Sequence, residues 1–164
     1  MAEPDIRAVA EIRVRTWQAS YAGLVPAEYL GRMSVDFDYE RRRRDFHDPD
    51  RTARTLVGKL GGRVAGFAVA GPSRDADAAG AGEVHALYVL PELQHAGVGR
   101  ALLAAAVESL AADGYRRCTL WVLEANASAR RFYERAGWRP DGARHVYTKT
   151  GADLPELRYA RPTA

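Results

Sequence analysis

The stretch from Glu83 to Leu103 leaves this chain few folds to choose from. Glu83-Val84-His85-Ala86-Leu87-Tyr88-Val89-Leu90-Pro91 is an apolar, strand-like run closed by a proline. Gln94-His95-Ala96-Gly97-Val98-Gly99-Arg100 is a short glycine turn opening a long apolar helix, Gly97 to Ala112, which ends at Asp113-Gly114 before a second strand, Arg117 to Leu123. Strands joined in this way lie parallel, with a right-handed crossover. The turn presents unpaired backbone N–H groups at the positive end of the helix dipole, which suits a phosphate or pyrophosphate. Glycine there lets an anion come close to the backbone.

Two other phosphate sites fit poorly. A dinucleotide-binding turn needs a third glycine where Leu102 stands and follows its strand at once, whereas seven residues separate Val89 from Gly97. A P-loop needs Gly-Lys-Ser/Thr, and Gly99 is followed by Arg100 and Ala101.

The rest of the chain supplies helices first and strands later. Ile6, Val9, Ala10, Arg13, Val14 and Trp17 recur at helical spacing between Asp5 and about Tyr21. Pro26 opens a short helix through Tyr29, Leu30 and Met33, and a third helix is expected over Phe37 to Phe46. Arg54–Leu60, Gly61-Gly62 and Arg63–Ala70 read as an antiparallel hairpin, and Gly71–Gly82 as a loop with little to bury. Asn126 caps a helix that stops at Gly137, and His145–Lys149 and Leu154–Tyr159 close the sheet. The expected class is α/β, a mixed and mostly antiparallel sheet with a central parallel strand-helix-strand crossover and helices on both faces.

At 164 residues the chain makes one domain, and 47% hydrophobic against 27% charged residues excludes disorder. The apolar stretches Val64–Gly71 and Ala101–Val107 are too short to cross a bilayer, so no membrane partner is expected. Met-Ala-Glu-Pro-Asp-Ile-Arg lacks the basic flank and apolar core of a secretory signal, and the expected location is cytoplasmic. Cys118, the single cysteine, rules out an internal disulfide and a thiolate metal cage; it is expected in the core, and no metal is expected. A net charge of +3 is too mild to point to nucleic acid, and Arg41 to Arg44, between Glu40 and Asp45, reads as a solvated helix face.

Leu87-Tyr88-Val89-Leu90-Pro91 followed by Gln94-His95-Ala96-Gly97-Val98-Gly99 resembles, position by position, the pyrophosphate motif of the GNAT superfamily of acetyl-CoA-dependent N-acetyltransferases. Leu120 to Trp138 is similar to that family's second cofactor motif, in which a strand, Asn126, Phe132-Tyr133 and Gly137-Trp138 recur. The resemblance implies the GNAT fold over nearly the whole chain, residues 1–164, with acetyl-CoA as acyl donor. It implies that backbone amides from Gln94 through Arg100 (Gln94, His95, Ala96, Gly97, Val98, Gly99 and Arg100) hold the pyrophosphate. Leu87, Tyr88 and Val89 then line the pantetheine arm, which pairs with Leu87 and Val89 as an added strand between two splayed central strands. An N–H near Leu87 faces the thioester oxygen, and Asn126 and Tyr133 contact the cofactor.

An amine with a pKa of about 10 is almost wholly protonated at pH 7, so acyl transfer to it needs a route for a proton to leave. The resemblance puts Glu83 in the position of the base, acting directly or through water; the plain alternative is a strand-end glutamate. His85, on the same strand face, is a second candidate base. Tyr133 stands where the family has the general acid for the departing thiolate. With Ala129, Phe132 and Ala136 it also forms an apolar stripe, so a packing role is the alternative.

One departure stands out. Family members usually begin with a strand before the first helix, whereas here the helical pattern starts near Asp5; the sheet edge is expected to be truncated, or covered by a second subunit in a homodimer. The acceptor, a small-molecule or peptide amine, is expected beside the first two helices and the last hairpin, near Trp17, Tyr21, Tyr29 and Tyr147 to Leu154. No acidic cluster is evident along the chain. A non-catalytic acyl-CoA sensor using the same groove is the alternative function.

Overall fold

The computed structural model describes all residues from Met1 to Ala164. Six strands make one sheet, in the spatial order β1-β2-β3-β4-β6-β5. They are β1 (Arg54–Leu60), β2 (Arg63–Pro72), β3 (Gly82–Val89), β4 (Arg117–Leu123), β5 (Arg139–Tyr147) and β6 (Leu154–Pro162). Neighbours are antiparallel except β3 and β4, the parallel pair that the crossover requires. Helices α1 (Ile6–Ser20), α2 (Ala27–Gly31) and α3 (Val35–His47) precede the sheet; α4 (Val98–Ala112) joins β3 to β4, and α5 (Ala127–Arg135) joins β4 to β5.

Both faces of the central strands are covered. On β2, Phe67 is buried with Val9 and Ile12 of α1, while its neighbour Ala68 is buried with Leu102 and Ala106 of α4. Successive strand residues point to opposite faces, so Val64 to Ala70 reads as a continuous apolar run rather than an alternating one. The hairpin boundaries and the extent of α4 and β4 fall where the turn residues predict them.

No strand precedes α1: residues Glu3–Asp5 form a 3-10 turn that leads straight into the helix. The amino group of Met1 donates to the Thr55 carbonyl at 3.0 Å, and Lys59 pairs with Asp5 at 2.9 Å, so the chain itself covers part of the β1 edge.

Three expectations need correction. The segment 71–82 is not a featureless loop: β2 continues to Pro72, Ala76–Ala78 make a 3-10 turn, and Ala78 and Ala81 are buried. Its small residues can be covered because ion pairs made elsewhere in the fold hold its polar ones. The fifth strand starts at Arg139 rather than His145, an irregular register between Pro140 and Arg144 having hidden its alternation. The arginine run is only partly solvated. Arg41 and Arg42 join Arg13 around the buried Asp38, and the Arg42 guanidinium lies 4.6 Å from the Phe67 ring centre. Cys118 is fully buried, as its apolar setting suggested.

Candidate active site

β3 and β4 start as neighbours and then part. Only Gly82 with Cys118 and Glu83 with Thr119 are paired, although both strands run on for several residues. A bulge in β3, where His85 stands unpaired between Val84 opposite Ala70 and Ala86 opposite Val69, falls just past the last β3–β4 pair. β3 stays paired with β2, and β4 with β6, so a slot opens between them.

The antiparallel ladder decides which groups of β3 face that slot. The Leu90 N–H donates to the Ala65 carbonyl at 2.9 Å, which makes Leu90 and Ala65 a hydrogen-bonded pair. Such pairs alternate with non-bonded ones, so Val89 opposite Gly66 and Leu87 opposite Ala68 turn their N–H and C=O groups away from β2, into the slot. One of these four groups is already occupied: the Val89 carbonyl accepts from Thr16 Oγ1 of α1 at 3.1 Å. Both backbone groups of Leu87 and the Val89 N–H remain for an extended ligand.

The slot leads to the turn before α4. Gly97 has φ of +84°, a conformation costing about 1–2 kcal/mol for a residue with a Cβ. Neither backbone angle nor packing demands Gly99, where an added Cβ would stand 3.5 Å from the nearest atom, Val89 Cγ2. A bare backbone there leaves space for a ligand. The Gln94 and Ala96 N–H groups turn back onto the Pro91 and Leu93 carbonyls at 3.3 and 3.4 Å, so they depart from the expected cradle. The amides of His95, Gly97, Val98, Gly99 and Arg100 have no backbone partner.

A groove of about 1540 Å³ contains the slot, the turn and an opening beside α1. Asn126 and Tyr133 line it together with Leu87, Tyr88 and Val89. The Asn126 Oδ1 accepts from the Ala129 N–H at 3.1 Å as the cap of α5, leaving its NH2 and a second Oδ1 lone pair for a ligand. Tyr133 packs against Phe132 and Trp138, at ring distances of 5.2 and 6.3 Å, so its apolar face does belong to the core. Its hydroxyl finds no hydrogen-bond partner in the protein, and burial pushes it well above an ordinary phenol, keeping it protonated.

Beyond Tyr133 the groove collects polar groups from distant segments. Glu83 is fully buried and does not itself line the groove. Its Oε2 accepts the Arg74 backbone N–H at 2.9 Å, and the Arg74 guanidinium closes on both of its oxygens. His85 does line the groove. Its Nε2 lies 2.9 Å from the Pro72 carbonyl, which can only accept, so Nε2 carries the proton and Nδ1 the lone pair. Burial holds its imidazole below the usual value, against the pull of that carbonyl and of Glu83. Trp17, Tyr21, Tyr147 and Leu154 line the same end, whereas Tyr29 stands behind Trp17 at 5.9 Å and does not.

Glu156 is the residue that sequence reasoning missed. Leu154, Glu156 and Arg158 alternate with Pro155, Leu157 and Tyr159, which reads as the polar outer face of an edge strand. β6 is instead an interior strand, and that face is enclosed. Burial pushes the Glu156 carboxyl up to about 7, with Arg74 pulling it down and Glu83 adding to the rise. An acidic group absent along the chain is thus assembled in space from Asp75, Glu83 and Glu156, with Arg74 among them.

The slot and the unpaired amides before α4 thus belong to one groove. Residues 8–138 match the acetyltransferase (GNAT) family. The chain belongs to that family. It is 34% identical over 129 residues to the uncharacterized N-acetyltransferase YuaI of Bacillus subtilis (strain 168), covering 76% of this chain and 69% of that one. Nourseothricin acetyltransferase is 31% identical, with a TM-score of 0.61 over 71% of this chain and 69% of the other. PaiA N-acetyltransferase from Thermoplasma acidophilum, solved in complex with coenzyme A, shares the fold at a TM-score of 0.73 and 20% identity, covering 99% and 95% of the two chains. The sheet order and the parting of β3 from β4 in this acetyltransferase therefore sit in a fold that such enzymes share.

Proposed function

We propose that this acetyltransferase moves the acetyl group of acetyl-CoA onto a primary amine, carried by a small molecule or a peptide, by direct attack. One observation carries the reading: the unpaired side of β3, at Leu87 and Val89, continues into the free amides before α4. An extended amide-bearing arm that ends in a diphosphate fits that sequence of sites. The coenzyme A bound to PaiA, on the same fold, supports the donor.

The arm lies along β3 and pairs with Leu87 and the Val89 N–H; the Val89 carbonyl stays with Thr16. The Leu87 N–H then stands where negative charge develops on the thioester oxygen, a contribution commonly worth about 3–4 kcal/mol when a single donor is removed. Tyr133 donates to the sulfur. A phenol held above its usual ~10 passes a proton uphill to a thiolate of ~8.5, so its main work is a hydrogen bond that strengthens as charge builds on sulfur. Glu83, the base that the resemblance implies, lies beneath the floor in the grip of Arg74 and reaches a proton in the groove only through His85, 3.9 Å away, or through water.

Thermal unfolding with acetyl-CoA, followed by thiol release across a panel of primary amines, tests the reading. Acetyl-CoA at a hundred times its Kd is expected to stabilise the fold by about 2.7 kcal/mol. A shift without thiol release toward any amine would favour an acyl-CoA sensor, and the absence of a shift would refute both.

A further inference from the structure

We propose that Glu156 is the group that takes the proton from the acceptor amine; the assignment rests on the acetyl-transfer reading. Three carboxylates gather at the acceptor end, and their surroundings divide the work. Glu83 is sealed and held by Arg74. Asp75 lines the groove, but its Oδ2 accepts from Trp121 Nε1 at 2.9 Å and from Arg158 Nη1 at 3.1 Å. Glu156 alone opens on the groove without a hydrogen bond from an arginine or a backbone amide; its near partner is His145, with Nε2 3.2 Å from Oε2.

The groups around it come from every neighbouring element. β6 sets Glu156 opposite Leu123, the last residue of β4, and opposite His145 of β5. Glu83 and His85 face it from β3, and Arg74 from the segment after β2; Glu83 raises its carboxyl and Arg74 lowers it. Tyr21 and Tyr88 line the groove too; burial is the main cause that raises their hydroxyls, and Glu156 adds to the rise in both. Lys149, after β5, lines the same groove. Tyr133, Tyr21 and Glu156 line the one groove, and the proposal places the reacting amine between the sulfur donor and Glu156.

A carboxylate poised at about 7 is matched to deprotonating an amine near neutral pH. Of the two glutamates, one is gripped on both oxygens by the Arg74 guanidinium, and the other opens on the groove with no such partner and is left as the working base. Glu156 takes a proton from the ammonium, and the freed lone pair forms the N–C bond. The C–S bond then breaks with its electron pair going to sulfur. The second nitrogen proton, lost from the tetrahedral intermediate, balances the one that the thiolate takes up. His145, 43% exposed, connects the protonated Glu156 to solvent.

Glu156→Gln keeps the shape and removes the base. With the panel amine that the wild type turns over fastest, kcat is expected to fall by about 10²–10⁴-fold. The wild-type kcat/KM should rise with pH through about 7, the acidic limb reporting loss of the Glu156 proton, and that limb should vanish in the variant. The melting shift with acetyl-CoA should stay unchanged, which separates loss of the base from loss of the cofactor site. A variant that keeps the wild-type kcat and limb, or that raises only the KM for the amine, overturns the assignment. Should Glu156→Gln fail to fold, Glu156→Asp decides. Drawing the carboxylate back by one methylene should cost at least ~10-fold in kcat with the limb retained, and an unchanged kcat overturns the proposal. Failure of acetyl-CoA to shift the wild type, or of every amine to release thiol, overturns it together with the reading beneath it.

Discussion

Arg158→Met asks how firmly the segment that carries Arg74 and Asp75 is held. The Arg158 side chain, 6% exposed, donates Nε to Asp141 at 2.8 Å, Nη1 to Asp75 at 3.1 Å and to Asp77 at 2.7 Å, and Nη2 to Asp77 at 2.8 Å. Its guanidinium also lies 5.6 Å from the Trp121 ring centre. Stripping one partner from a buried ion pair costs about 3–5 kcal/mol when the other is stranded. Here the stranding is incomplete. Asp75 keeps the Trp121 N–H, Asp141 keeps Arg117 and the Ala143 N–H, and Asp77, 67% exposed, returns to water. The lower end, about 3 kcal/mol, is therefore expected. At roughly 2–4 °C per kcal/mol for a chain of this size, Tm should fall by about 6–12 °C, read by circular dichroism and checked by urea unfolding. Arg158 also holds the Asp77 carboxyl below its usual range. That stabilisation is present above the unfolded carboxylate value and is lost as pH falls through the lower folded value, so the variant should lose less stability in acid. The acetyl-CoA shift should survive, because nothing before α4 is touched, while kcat drops as Arg74 is freed from Glu83. A Tm within ~2 °C of the wild type, the range of a neutral surface change, would refute the argument.

Tyr133→Phe should lower kcat by about 10–10²-fold with the acetyl-CoA melting shift intact; undiminished turnover at saturating substrates would leave Tyr133 a packing role alone. Gly97→Ala should cost about 1–2 kcal/mol from backbone strain, since a Cβ there meets no atom within 4 Å, and should weaken acetyl-CoA binding; a wild-type Tm in unfolding scans would show that the turn can relax. Burial pushes the Cys118 thiol up to about 11, so it should resist aromatic disulfide reagents at pH 8 until the chain unfolds; prompt labelling of the native protein would contradict its placement.

The parts that could be read along the chain are those in which a few consecutive residues determine the outcome. Gly61-Gly62 ends β1 and starts β2 because both glycines sit at positive φ, at 56° and 79°. The turn at Gly97 and the cap at Asn126 are likewise local, and both lie where their residue types place them. The segment 71–82 failed for the opposite reason. Its polar side chains are held by Trp121, Arg158 and Glu83, none of which is near it in sequence except Glu83, and no composition rule reports that.

The acceptor end shows the same division at the level of chemistry. The cofactor half depends on backbone groups, and a glycine turn with a proline-ended strand announces those to anyone reading residues in order. The base depends on desolvation, which no short segment possesses. Glu83 and Glu156 are both strand glutamates in sequence, and Glu83 has the better motif position. What separates them is Arg74, which closes on both oxygens of Glu83 and makes no hydrogen bond to Glu156, and the strand order, which puts β6 inside the sheet rather than at its edge. A carboxylate's role in this groove therefore follows from which of the two an arginine has already taken.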